Sequence, residues 1–373
     1  MSLPLLAAPP PTQTTLSCPR CRIDLTARDE RLWCGGCAAS WEVRDGIPRF
    51  VTSTEYWGEV PQAAATSLLD EAATIGWRQA AAGHFADDPM LAFSILQWQN
   101  RASWLPLLGL PPEAVALDIG SGYGAITHAL AKSCHEVYSI EAINERVQFT
   151  AIRTMQEGLT NVRLVQASST EMPLPDNLFD LIVVNGVLEW VGEWNLNLSP
   201  RDVQLRFLRD LHRSLKPGGV VVIGIENRIG YNNFRGALDH SGLPYTSLMP
   251  RWMASLRLRL SSRTHHRTRL NAKRQYRTYT YSERGYRKLL RASGFDNLTF
   301  YTADPGYNQP LMMVPLEGTA LESHILHEMS DPDAGARPRW PRLFKYQLSR
   351  LRLLHPFVPE FVIIAGKDAH YAD

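Results

Sequence analysis

Beyond Glu113 the chain alternates short apolar runs with amphipathic stretches. Residues 114–119, 136–140, 162–165, 179–184 and 220–225 have the length and β-branched content of buried strands. Between them, 125–132, 144–157 and 201–215 place apolar side chains at helical spacing, and Lys216-Pro217-Gly218-Gly219 stops the last. Residues 282–293 read as a further helix ending at Gly294, and 298–301 and 361–365 as further strands. This alternation predicts an α/β fold with a doubly wound, mostly parallel sheet that binds ligands at the carboxyl ends of its strands.

Ahead of that region the rhythm differs. Residues 53–112 carry Ala- and Trp-rich helical patches, as at 91–108, and end at Pro111-Pro112. They are expected to form a helical connecting region packed on the next domain. Residues 1–15 are rich in Pro and Thr, as in a disordered tail, and 16–52 hold most of the cysteines. The organisation expected is therefore a tail (1–15), a small cysteine domain (16–52), the connector (53–112) and a large α/β domain (113–373). A length of 373 residues fits two domains or one large domain with an appendage.

Charge adds little to this picture. Lys and Arg number 39 against 37 Asp and Glu, a net +2, which excludes a globally basic nucleic-acid coat but not a local patch. No apolar run reaches the roughly 18–20 residues of a membrane span. The first cation is Arg20, and the short apolar stretch 3–8 is followed by three prolines, so a cytoplasmic protein without a secretory signal is expected.

Four of the five cysteines form two pairs, Cys18-Pro-Arg-Cys21 and Cys34-Gly-Gly-Cys37, twelve residues apart. Each pair presents two thiolates from one turn, and together they make the tetrahedral sulfur set of a structural Zn2+ site with no open position. Two disulfides are the competing chemistry, disfavoured by a reducing cytosol. Cys134 stands apart as a small buried residue. The wording around the pairs, with Leu32-Trp33-Cys34 and Trp41-Glu-Val-Arg-Asp45-Gly46-Ile47-Pro48, resembles the zinc-ribbon family of small tRNA-methyltransferase activator domains. The resemblance implies a docking or stabilising module beside a methyltransferase and names no substrate.

The central motif is Leu117-Asp118-Ile119-Gly120-Ser121-Gly122-Tyr123-Gly124. It follows a buried strand, opens a helix and is paired with Glu141 at the end of the next strand, where a carboxylate can accept ribose hydroxyls. A dinucleotide site shares this logic. It is disfavoured because the third glycine comes two residues after the second rather than three.

The run resembles the class I S-adenosyl-L-methionine-dependent methyltransferases. Asp118 to Gly124 is similar to that family's first motif, Glu141 to its ribose-binding acid, residues 172–180 to the stretch before the fourth strand and 215–219 to the turn before the fifth. The resemblance implies a Rossmann-like methyltransferase sheet. Asp118, Gly120, Ser121, Gly122, Tyr123 and Gly124 would lie near the methionine part, Glu141 and Ala142 at the ribose, and Ser168 and Ser169 at the adenine. Asn185 and Gly186 would border the methyl group. Many members have Asp where this chain has Ser168, which weakens the hydrogen bond to the adenine edge.

The acceptor side is less explicit. Residues 186–190, Glu226-Asn-Arg-Ile-Gly-Tyr231 and Asp239-His240-Ser-Gly242 resemble a narrower branch of methyltransferases found in surface-polysaccharide and natural-product pathways; 304–307 and 355–361 resemble its tail. The branch implies a saccharide or other polar small molecule methylated on oxygen, which needs a base for the hydroxyl proton. His240 beside Asp239 is the candidate base; the alternative is that Asp239 caps a turn and His240 is a surface residue. Glu226 and Glu189 are candidate hydrogen-bond acceptors for substrate. Residues 227–281 form an insertion of lid length. From Arg251 to Arg291 the chain has 13 Lys or Arg and one acid, Glu283, interleaved with Trp252, Tyr276, Tyr279 and Tyr281. This tract offers contact with a phosphate-bearing substrate, with RNA or with an anionic membrane surface. RNA methylation and a non-catalytic scaffold are the alternatives to a small-molecule enzyme.

Overall fold

The computed structural model describes residues 15–51, 56, 60–261, 275–330 and 346–367. The expected tail at 1–14 and the middle of the basic tract, 262–274, lie outside the described residues. The chain divides into two compact units, Met1–Val184 with Arg209–Val220, and Asn185–Leu208 with Val221–Asp373.

The first unit begins with a small antiparallel sheet of four strands, β1 (Leu25–Arg28), β2 (Arg31–Cys34), β3 (Ser40–Arg44) and β4 (Ile47–Pro48), in that order. Asp29-Glu30 and Asp45-Gly46 join successive strands with positive φ at both positions, as two-residue hairpins require. In β2 the alternation turns Leu32 and Cys34 inward and Arg31 and Trp33 outward. Whether this small sheet touches its own chain was open from the sequence. It does: Phe50 N–H donates to Gln166 O at 2.7 Å, Ser17 N–H donates to Pro173 O at 3.1 Å, and Ile47 packs on Val147, Ala151 and Leu164. Phe50 is fully buried against Trp41, a burial that stabilises by about 1.5–3 kcal/mol.

Next come β5 (Val115–Ile119), β6 (Glu136–Glu141), β7 (Val162–Gln166) and β8 (Phe179–Asn185), in the order β8-β5-β6-β7 with every ladder parallel. Their near-continuous burial explains the uninterrupted apolar runs. The region before them forms helices Gln62–Ile75, Trp77–His84 and Pro89–Leu96, which pack on helix Asn144–Gln156 through Leu68, Trp77, Phe85, Ile95, Phe149 and Ile152. Arg153 is buried among them; its guanidinium donates to Ile95 O and Tyr123 O and lies 4.1 Å over the Trp77 ring.

The second unit carries β9 (Leu215–Glu226), which enters it at Val221, then β10 (Asn297–Gly306), β11 (Gln309–Pro315) and β12 (Glu360–Gly366), in the order β11-β10-β12-β9. β10 pairs antiparallel with both β11 and β12, so the exceptions to the mostly parallel arrangement expected of the α/β region lie here. β11 has no counterpart in the sequence reading. It is an outermost strand bounded by prolines with Leu311 and Met312 exposed, so its pattern lacks a clean buried face. β9 also begins earlier than expected, absorbing Lys216-Pro-Gly-Gly219.

The insertion is structured where it is described. It contains helices Tyr231–Phe234 and Arg251–Leu260, tied by Arg228 to the carbonyls of Ser247 and Met249. The buried Arg277 donates to the carbonyls of Gly192, Glu193, Asn195 and Leu198. Three cations of the basic tract are therefore occupied inside the fold. Arg251 donates to Thr280 O, Arg277 donates as above, and Arg287 pairs with Glu283 and Glu317.

Candidate active site

Strand β5 ends at Ile119, and the chain then turns through Gly120, Gly122 and Gly124 at φ of +64, +57 and +74°. At Gly124 a Cβ would sit 2.6 Å from Thr150 Cγ2, so both space and backbone exclude a larger residue. Gly120 and Ser121 N–H both donate to Ile140 O, which fastens the loop to the end of β6. Residues 120–122 remain partly exposed while Tyr123 is buried against Phe85 and Phe149. Helix Ala125–Ala131 follows directly, so the loop offers backbone N–H groups at a helix start.

Two carboxylates flank this loop. Asp118 is buried and accepts from Thr127 Oγ1 at 2.7 Å; burial pushes its carboxyl up to about 6 despite that bond. Glu141 Oε2 accepts from Gly122 N–H at 2.9 Å, and its Oε1 accepts from Ala142 and Ile143 N–H at 3.0 Å each. A carboxylate has about four lone-pair sites. Three are filled here, so Glu141 as it stands has room for one further donor on Oε2, and accepting a second would require the Gly122 bond to open.

The second unit holds a different cluster. His240 Nε2 lies 3.1 Å from Glu226 Oε2 and 3.8 Å from Glu189 Oε1, and Tyr307 OH donates to Glu226 Oε1 at 2.7 Å. Burial opposes charge on the imidazole, but the Glu226 carboxylate outweighs it and raises His240 to about 9. Burial likewise opposes charge on Glu226, yet His240 and the Tyr307 hydroxyl hold it down at about 2. At neutral pH the two form an ion pair. Glu360, pushed up to about 8 by burial and by the Glu226 charge, is protonated over much of the physiological range.

Residues 117–223 match a protein family described as a methyltransferase domain. This part of the chain is thus similar to a methyltransferase domain. Among curated proteins, it is similar to a demethylmenaquinone methyltransferase of Bacillus licheniformis, 28% identical over 134 residues, which cover 35% of this chain and 53% of that protein. A ubiquinone/menaquinone biosynthesis C-methyltransferase of Vibrio cholerae is 30% identical over 119 residues, 31% of this chain and 42% of that one. The chain thus spans about half the length of the curated relatives it matches. Among solved structures, a Haemonchus contortus phosphoethanolamine N-methyltransferase bound to S-adenosylhomocysteine aligns with a TM-score of 0.44 at 14% identity, covering 79% of this chain and 58% of that one.

Within the matched residues 117–223, the loop residues and Glu141 come together as described, with Ala142 beside them. Ser168 and Ser169 follow β7 and are half-buried, and Ser168 Oγ shares a hydrogen bond with Thr170 Oγ1. Asn185 and Gly186 fall in the second unit, where Asn185 Nδ2 donates to Asn308 Oδ1 and Gly186 N–H to Gly224 O. Asp239 does not partner the His240 ring by hydrogen bond. Its carboxylate accepts from Ser241 N–H, Ser241 Oγ and Tyr276 OH, the turn-capping arrangement. The histidine's hydrogen-bond partner is Glu226 instead.

Two contributors escaped the sequence reading of chemistry: Tyr307, quoted only as part of a tail motif, and Gly224. A Cβ on Gly224 would collide with Asn185 and Tyr307, so β9 needs glycine where these side chains cross it. A glycine inside a buried strand was the available signal.

The four cysteine sulfurs lie within 4.8 Å of one another, Cys18 and Cys37 at 3.6 Å and Cys21 and Cys34 at 3.2 Å. Disulfides need about 2.05 Å, whereas thiolates around one zinc at about 2.3 Å sit close to 3.8 Å apart. The Cys37 backbone N–H and the Cys21 thiol bring Cys34 down to about 6, while burial and the neighbouring sulfurs raise Cys21 and Cys37, so the thiols share their protons within one cluster. The donor set and its spacing fit a closed Zn2+ site.

Proposed function

We propose that this chain is an S-adenosyl-L-methionine-dependent methyltransferase that methylates a hydroxyl on a polar small molecule, a saccharide or natural-product intermediate. The observation that carries the cofactor half is the glycine loop of the methyltransferase domain, closed on Glu141 and floored by the buried Asp118. S-adenosyl-L-methionine would supply a methyl group already activated on sulfur, so the protein's own task is to hold cofactor and acceptor and to manage one proton. Asp118, Gly120, Ser121, Gly122, Tyr123 and Gly124 would hold the methionine part, Glu141 and Ala142 the ribose, and Ser168 and Ser169 the adenine. Asn185 and Gly186 would lie toward the methyl group. The four cysteines would hold a structural Zn2+.

The Glu226–His240 pair, with Glu189 and Tyr307, is the acceptor-handling group in this reading. Several carboxylates, an imidazole, a phenol and the amides of Asn185 and Asn308 suit a hydroxyl-rich ligand better than an apolar one. His240 is the base, and its high proton affinity means that it acts in alkaline solution, once the imidazolium has lost its proton. The rate should therefore climb with pH toward about 9. Asp239 fixes the turn on which His240 stands. RNA as substrate is less well supported: Tyr276 is buried and bonded to Asp239, and Tyr281 packs against Tyr286 with its hydroxyl on Gln204, which leaves Trp252 as the exposed aromatic among the described residues of the tract.

The test adds cofactor labelled on its methyl group, with the purified protein, to extract of the source cell. Label in an RNase-resistant saccharide or small-molecule fraction is the expected result. Label in an RNase-sensitive polymer would reverse the substrate assignment while leaving the cofactor site intact.

A further inference from the structure

Helix Arg251–Leu260 in the second unit is amphipathic in an unusual sense. Its inner face, Ala254 and Leu258, is buried against Leu243 and Tyr276. Its outer face is also apolar: Trp252, Met253, Leu256 and Leu260 are 69%, 39%, 49% and 79% exposed. At about 100° per residue, these four side chains fall on one arc of roughly 100°, opposite the buried pair. Arg259 and Arg257 fall just beyond its two borders.

Exposed Leu, Met and Trp on one stripe of a helix is a costly arrangement in water unless something covers it. The charge beside the stripe says what fits: Arg257 and Arg259 border it and the helix carries no Asp or Glu, nor does the sequence as far as Ser282. We infer that this helix lies in the interface of an anionic phospholipid bilayer, with Trp252, Leu256 and Leu260 immersed and Arg257 and Arg259 at the headgroup phosphates. An RNA partner would use the arginines but gives an aliphatic stripe nothing to do. A second copy docked face to face would bring Arg257 and Arg259 of both chains together with no acid on the helix to pair them. A membrane-bound acceptor, such as a lipid-linked saccharide, would then meet the enzyme at its own surface. The inference does not depend on that substrate assignment.

The experiment is co-sedimentation of the full chain with vesicles of phosphatidylcholine alone and of phosphatidylcholine mixed with phosphatidylglycerol. Binding to the anionic vesicles, weakening as salt rises, is expected. W252S/L256S should weaken it by about tenfold or more, and R257Q/R259Q by about fivefold per arginine while erasing the lipid preference. Cofactor affinity, measured on the same variants, should be unchanged and shows that they fold. Wild-type protein that ignores anionic vesicles would overturn the inference. So would variants that bind vesicles as well as wild type, or a W252S/L256S change that only splits a dimer or only removes RNA binding.

Discussion

The glycine loop and the Glu226–His240 cluster are built in opposite ways. The loop is contiguous: Asp118 to Gly124 is one strand end and one turn, with Glu141 added from the next strand. The cluster gathers Glu189, Glu226, His240 and Tyr307 from four separate segments. The loop owes its shape to backbone geometry that only glycine tolerates, while the cluster owes its charge state to mutual electrostatics. Substitutions should therefore act on the loop through binding and on the cluster through pH.

The largest effect should come from the cysteines that brace the unit holding the loop. Chelation, or Cys34→Ser, should empty a site that binds one zinc per chain and melt the small sheet, because structural zinc supplies on the order of 10 kcal/mol of folding free energy in isolated fingers. Metal content and thermal unfolding measure it. Since Phe50 and Ser17 bond to either side of the segment bearing Ser168 and Ser169, cofactor affinity should fall as well. Affinity that survives complete metal loss would show that the small sheet is a passive appendage.

Next, Glu141→Gln should weaken cofactor binding by about ten- to a hundredfold, since charge-assisted hydrogen bonds are worth about 1.5–3 kcal/mol. The amide can still accept on one atom, so thermal stability should drop less than in Glu141→Ala, which leaves three backbone N–H groups without their acceptor. Unchanged affinity in Glu141→Gln would separate this residue from the ribose.

The smallest effect is a shift in a titration. Glu226→Gln should let the His240 pKa fall from about 9 toward its ordinary 6.5, moving the rising limb of the pH–rate profile to lower pH and leaving cofactor affinity alone. In the wild type, the histidine's share of the pair's stability is fully present below about 6.5 and is lost as pH rises through about 9. The glutamate's share is present above about 4.5 and is lost as pH falls toward about 2. Chemical denaturation across pH should therefore show the pair's full benefit between about pH 4.5 and 6.5.

The same contrast explains what could be read from the chain alone. The parallel strands were legible because burial on both faces leaves continuous apolar runs, and the loop because its glycines and acids stand next to one another. The cysteine pairs announced themselves by spacing. Asp239, the neighbour of His240 in sequence, raises its proton affinity through charge alone, and the hydrogen bond goes to Glu226. Nothing local reveals that a histidine's partner is fourteen positions back on β9, or that Tyr307 reaches the same carboxylate. β11 was missed because an edge strand bounded by prolines has no buried alternation to display.

The central claim is that the Asp118–Gly124 loop with Glu141 binds S-adenosyl-L-methionine. Titration calorimetry of the purified chain with that compound, with Asp118→Ala in parallel, tests it most directly. Saturable one-to-one binding is expected, weakened by about a hundredfold or abolished by the substitution. Absence of binding to wild-type protein, or equal affinity in the variant, would contradict it.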